Sequence, residues 1–327
     1  MKRLACLFAA AVMLAALLAS CGSAPEPIES EVPEALFTDV TELSIIEDEA
    51  VALADAPPAL PLQLTAEASG VLVKKSNAAM IDYSNTKDGY VMVKFTAETT
   101  KKLKAQVKGP SVTYTYNISP GVWATFPLSD GNGSYTVSVY ENVSGTKYAA
   151  VVSQRMTVSL TDEFAPFLRP NQFVDYSAAP NTVAKAAELT ANREGPLDKV
   201  EAVYSFVVGN FSYDKELAQT VKSGYLPVLD TVLEKRKGIC FDYAAVMTGM
   251  LRSQGVPCKL VVGYAGSTYH AWISVYSESE GWIDGAVFFD GKSWQRMDPT
   301  FASGAKGSAE ILKYIGDGSN YTAKYFY

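Results

Sequence analysis

The chain has 327 residues, 48% of them hydrophobic and 11% aromatic, enough apolar material for a sizeable core and a length that favours two domains. Its net charge of −7 is unevenly spread: residues 22–73 carry eleven acids and no Lys or Arg, while residues 74–327 carry 24 acids against 26 bases. A body so nearly neutral has no basic surplus to follow a phosphate backbone, which excludes nucleic-acid binding, and a single long apolar run excludes a polytopic membrane protein.

That run opens the chain. Met1-Lys2-Arg3 supplies positive charge and residues 4–17 are uninterruptedly apolar, the length of a secretory core and short for a membrane span. It ends in Leu18-Ala19-Ser20-Cys21-Gly22, which resembles the lipobox of bacterial lipoproteins. The resemblance implies a signal peptide over residues 1–20, lipidation of Cys21 and an extracytoplasmic protein held to the membrane. Residues 21–70 then read as an acidic, Pro-rich tether; residues 22–61 alone hold six prolines and ten acids, a composition that buries too little surface to offset ordering.

Residues 71–165 have period two. The stretches 90–95, 112–116 and 135–140 alternate and are rich in β-branched and aromatic residues, with Asp88-Gly89, Gly109-Pro110, Asp130-Gly131 and Ser144-Gly145 as turns. The spacing predicts an immunoglobulin-like β-sandwich, without a cysteine, a histidine or a carboxylate cluster, and hence without chemistry of its own.

From Pro180 the pattern turns helical, over 182–192 with Asn181 or Thr182 as N-cap, over 197–208 and over 228–235. A further amphipathic helix starts near Cys240 and stops at Gly255; strands follow over 258–264, 269–275 and 294–300. A cysteine in the first turn of a helix feels the N-terminal dipole, which favours thiolate over thiol. His270, the one histidine of the chain, would serve as base and acid on a neighbouring strand, and Asp298 on the next strand would fix its tautomer. Asp242 is read as serving the helix start, Cys258 as a small buried residue, and Trp272 and Trp294 as core. A Cys240–Cys258 disulfide is the competing reading for the two thiols, and residues 301–327, rich in Tyr, are expected to pack on this domain.

Gly238-x-Cys240-x-Asp242-x-Ala244, Gly255-Val256-Pro257, His270-Ala271-Trp272 and Asp298-Pro299-Thr300 together resemble the core motifs of the transglutaminase-like superfamily. The resemblance implies an α+β, papain-like catalytic domain over residues 166–327, its Cys-bearing helix packed on an antiparallel sheet. In it Cys240 would be the nucleophile, His270 the base and acid, and Asp298 the residue that orients His270. Tyr213, just upstream, is the candidate second oxyanion donor beside the Cys240 N–H. No metal or cofactor is expected. The function so read is acyl transfer on amide bonds of a protein or cell-wall peptide, by hydrolysis or by transfer to an amine; the alternative is a catalytically silent lipoprotein that binds a partner on the same scaffold.

Overall fold

The computed structural model describes residues 63–284 and 320–327 in full, and 287–289 and 294–296 by their backbone. The signal peptide, Cys21, the tether up to residue 62 and Asp298 lie outside the described residues.

The alternating stretches form eight strands: β1 (Val73–Lys75), β2 (Ala79–Asp82), β3 (Tyr90–Phe95), β4 (Leu103–Lys108), β5 (Thr113–Ile118), β6 (Trp123–Pro127), β7 (Gly133–Ser144) and β8 (Lys147–Val158). They make two four-stranded antiparallel sheets, ordered β1-β2-β3-β6 and β5-β4-β7-β8. Period two puts Leu103, Ala105 and Val107 of β4 on the buried face and Lys104, Gln106 and Lys108 on the other. Rings join the two sheets: Tyr116 of β5 lies 4.2 Å from Phe126 of β6, centroid to centroid. The buried face of β3 admits no such alternation, because Tyr90, Val91, Met92 and Val93 are all covered.

The remainder is α+β. Helices α1 (Pro180–Thr190), α2 (Pro196–Asn210), α3 (Lys215–Thr220), α4 (Leu229–Lys235) and α5 (Cys240–Ser253) are interleaved with the short parallel pair β9 (Ser212–Tyr213) and β10 (Lys237–Gly238). Then come β11 (Cys258–Ala265), β12 (Thr268–Ser277), β13 (Gly281–Asp284), the hairpin β14 (Val287–Phe289) and β15 (Trp294–Arg296), and β16 (Tyr321–Phe326). One antiparallel sheet runs β13-β12-β11-β16, and α5 packs on β11 and β12. Helix α5 is buried almost all round, from Asp242 to Ser253, as a helix must be that has a sheet on one side and helices on the other.

One expectation changes and two gain detail. The start of α1 is not capped by Asn181 or Thr182: Pro180 occupies the first turn, and the Asp230 carboxylate of α4 accepts from both the Asn181 and Thr182 N–H groups and from the Thr182 hydroxyl. Second, β13 and β14 stand between the His270 strand and β15 in chain order, and β15 pairs with β14, while Asp298 itself lies outside the described residues. Third, the C-terminal tyrosines serve both halves of the fold. β16 joins the edge of β11, while Tyr325 and Tyr327 each sit 5.6 Å from Tyr114 of the sandwich, and Tyr327 lies 4.6 Å from Phe173. Buried Arg252 of α5 fastens that corner, donating to the main-chain oxygens of Cys258, Arg169 and Tyr327 at 2.9, 2.8 and 2.5 Å. The sandwich and the helix-and-sheet portion accordingly form one compact unit.

Candidate active site

The site is assembled at the first turn of α5. Ile239, the N-cap, is extended and has no side-chain acceptor, so capping falls to the third helical residue: Asp242 Oδ2 accepts the Ile239 N–H at 2.8 Å. Its other oxygen, Oδ1, accepts from the Tyr225 hydroxyl at 2.7 Å. Asp242 is fully buried, and burial raises its pKa above the ordinary carboxylate value against the lowering effect of those two donors. The spacing Gly238-x-Cys240-x-Asp242 now has a physical cause, since a Cβ on Gly238 would stand 2.6 Å from the Asp242 Cβ. Only glycine lets the capping carboxylate fold back under the strand that delivers Cys240.

That strand also brings in Tyr213. β10 pairs with β9 so that Gly238 lies opposite Tyr213, and the Asp214 N–H donates to the Gly238 carbonyl at 2.8 Å. The Tyr213 phenol is held above its ordinary pKa, first by burial and then by its acidic neighbours, so it keeps its proton and remains a donor. Asp214 caps α3, whose six residues are too few for a periodic signal, by accepting the Leu217 N–H.

His270 stands on β12 directly opposite Gly263 of β11 and is 5% exposed. Its ring is near-parallel to that of Trp272, two residues on, at 6.1 Å, and Trp272 in turn meets the edge of Tyr321 at 5.2 Å. Trp272 is thus a buried wall behind the imidazole, in keeping with a core role. Gly263 permits this arrangement: a Cβ there would lie 2.1 Å from the Thr322 carbonyl and 2.8 Å from Trp272, and the β11–β16 register shifts at this residue. β16 can therefore close over β11 only where β11 lacks a side chain.

Cys240, His270 and Tyr213 line one cleft of about 340 Å³, with Tyr225, Tyr269 and Phe241 among its other walls. The cleft is predominantly aromatic and apolar, and Lys222 is the one Lys or Arg among its lining residues. Tyr225, Tyr269 and Phe173 are not marked as site residues by the sequence, and Tyr327 is marked only as one of the C-terminal tyrosines that pack on this domain. They come from a loop, a strand, the turn before α1 and the end of β16, which share no spacing; only Tyr269, next to His270, carries a local hint. Cys258 does not enter the site. Its thiol is buried, donates to the Thr248 hydroxyl at 3.5 Å, and is pushed by burial up to about 11. Thr248 is eight residues along α5 from Cys240, ~12 Å at helical rise, beyond the reach of a disulfide; both thiols are free. Among the described residues no three His, Cys, Asp or Glu side chains are grouped to hold a metal, and no helix is long and apolar enough to cross a membrane.

A thiol at a helix N-terminus and a histidine on the sheet against which that helix packs thus share one cleft of an α+β domain. Residues 183–299 match the family described as the transglutaminase-like superfamily, and this stretch of the chain is a domain of that superfamily. YebA of Bacillus subtilis strain 168, an uncharacterized protein, is 28% identical over 117 residues, 30% of this chain and 16% of its own length. A protein-glutamine gamma-glutamyltransferase of Pseudomonas aeruginosa is 27% identical over 121 residues, 32% of this chain and 17% of its own. The chain thus matches about a sixth of the length of these curated relatives. The crystal structure of a proposed cysteine protease from Cytophaga hutchinsonii covers 78% of this chain and 84% of its own at 14% identity, with a TM-score of 0.36.

Proposed function

We propose that the chain is a thiol enzyme that transfers acyl groups from amide bonds through a thioester on Cys240. The observation that carries this reading is the sharing of one cleft by Cys240, at the first position of α5, with His270 and Tyr213. His270 takes the thiol proton as sulfur attacks the amide carbonyl carbon; the carbonyl oxygen becomes an oxyanion held by the Cys240 N–H and the Tyr213 hydroxyl. As the C–N bond breaks, His270 gives the proton to the departing amine. Water or a primary amine then attacks the thioester and restores the thiol. Asp298 is assigned the orientation of His270.

The apolar walls favour an acyl donor with a hydrophobic flank, in a protein or a cell-wall peptide. The similarity to a gamma-glutamyltransferase supports glutamine as one acyl donor. The lipobox-like stretch supports a protein anchored through Cys21 on the outer side of the membrane, and the strand order β2-β3-β6 against β5-β4-β7-β8 supports an immunoglobulin-like reading of the sandwich. Incubation with a glutamine-containing peptide and a labelled primary amine tests the proposal: product release with or without amine incorporation, abolished by Cys240→Ala, upholds it and separates hydrolysis from transfer. Turnover that survives Cys240→Ala contradicts it.

A further inference from the structure

A second cavity, of about 330 Å³, lies between the open edge of β6 and the turn at Pro170–Gln172, with Leu226 and Ala66 on its walls. Two side-chain amides in it are incompletely bonded, and their orientations are fixed by the bonds they do make. Asn171 Oδ1 accepts the Phe173 and Val174 N–H groups at 2.9 and 3.2 Å, which leaves its Nδ2, buried and without a partner among the described residues, as a donor. Gln172 Nε2 donates to the Asn117 carbonyl at 2.7 Å, which leaves its buried Oε1 as an acceptor without a partner among the described residues. Asn171 is 4% exposed. Buried groups of this kind are ordinarily paired, so a free donor beside a free acceptor points to a ligand that offers both.

The strand edge repeats the pattern in its main chain. Thr96 N–H bonds Ala78 O across β2 and β3, and antiparallel alternation therefore turns Met92 and Lys94 toward β2 and Val91 and Val93 toward β6. The residues facing Met92 and Lys94, Thr125 and Trp123, consequently turn their main-chain groups outward. Thr125 spends its carbonyl on the Gln172 N–H at 3.1 Å, and by the same register Trp123, which lines the cavity, turns its N–H and C=O away from β3. Val122, 55% exposed, and Leu226, 38% exposed, give the rim an apolar lip.

The main-chain donor and acceptor that Trp123 turns to the strand edge, with an amide donor and acceptor opposite, match one residue of an extended peptide backbone. We infer that this cavity binds an extended polypeptide by adding it as a strand to β6, and that the polypeptide is the flank of the substrate whose amide is presented to Cys240. The second half rests on the proposed function. It follows from adjacency: the cavity and the catalytic cleft lie on either side of the same two chain positions, Gln172 against Phe173 and Leu226 against Tyr225. The sandwich is then the part of the molecule that holds the substrate chain while the thiol acts on it, and β-strand addition supplies affinity through main-chain bonds with little demand on sequence.

The test uses the full chain carrying Cys240→Ala, so that no chemistry consumes the probe, titrated against fluorescein-labelled unfolded casein with anisotropy as the readout. Asn171→Asp keeps the acceptor for Phe173 and Val174 and replaces the unpaired amide donor with an oxygen; Ala66→Trp, on a separate segment, fills the cavity. Each is expected to weaken Kd about tenfold, the scale of one buried hydrogen bond. Should Asn171→Asp lower the melting temperature, Ala66→Trp decides alone. A Kd indifferent to Ala66→Trp, or casein that does not bind the parent chain, overturns the inference. The parent chain here is catalytically inert, so binding that responds to these substitutions stands even if Cys240 proves to turn nothing over, and a working enzyme whose Kd ignores them sinks this inference alone.

Discussion

Asp242→Ala tests how the helix N-terminus holds the nucleophile. The substitution removes two acceptors at once and leaves the Ile239 N–H and the Tyr225 hydroxyl without their partner. Loss of a cap costs about 1 kcal/mol, and a buried donor left unpaired costs about 1–3 kcal/mol, so the variant should lose about 2–4 kcal/mol. Urea unfolding followed by circular dichroism reads this as a lower midpoint at unchanged m-value. Asp242→Asn should cost less, because its one oxygen can still accept from Ile239 while its amide donates to the Tyr225 oxygen. The two variants also differ from the parent in pH dependence. Burial raises the folded-state pKa of Asp242, so the folded chain holds this proton more tightly than the unfolded one. Its contribution to stability is fully present below the unfolded value of ~3.9 and is lost as pH rises through the elevated folded value. The stability difference between parent and Asp242→Asn should therefore shift against the parent across that window. Equal stability of parent and Asp242→Ala, or a difference that moves the other way with pH, would refute the reasoning.

Other substitutions address other supports of the cleft. Gly263→Ala forces a methyl group onto the Thr322 carbonyl and Trp272; overpacking of about 1–3 kcal/mol is expected in urea, with kcat/KM reduced because His270 faces this residue. Arg252→Leu leaves three main-chain oxygens without their donor and should cost about 3 kcal/mol by thermal melt, and Arg252→Lys should rescue little of it, since one ammonium cannot reproduce the guanidinium fork. Tyr213→Phe removes the proposed oxyanion donor and should lower kcat by about 10² with stability almost unchanged; unchanged turnover would take the hydroxyl out of that role.

Much of this was legible in residue order. Alternation marked the strands, since one-face burial imposes period two; over 113–116, Thr, Tyr, Thr and Tyr, the pattern and the observed burial coincide. The Cys240 helix and the His270 strand were legible because their motifs are local: Gly238, Cys240 and Asp242 lie within one turn and answer to one steric and hydrogen-bonding arrangement. Tertiary partners were not. The cap of α1 comes from Asp230, nearly fifty residues away, and β16 finds β11 only because Gly263 leaves room for it. Tyr225 was passed over for the same reason: its partner Asp242 is seventeen residues on, and nothing in the intervening loop announces the contact. Helix α3 is six residues long, too short for a periodic signal, and is set by its Asp214 cap.

The central claim is that Cys240 is a nucleophile activated by His270. The most direct measurement is the rate of iodoacetamide labelling, site by site by peptide mass, on a soluble form that begins after Cys21, compared with its His270→Ala variant. Fast labelling of Cys240 is expected, falling about tenfold or more in the variant, with buried Cys258 labelled only after denaturation. Slow labelling of Cys240 at a rate indifferent to His270 would contradict the claim.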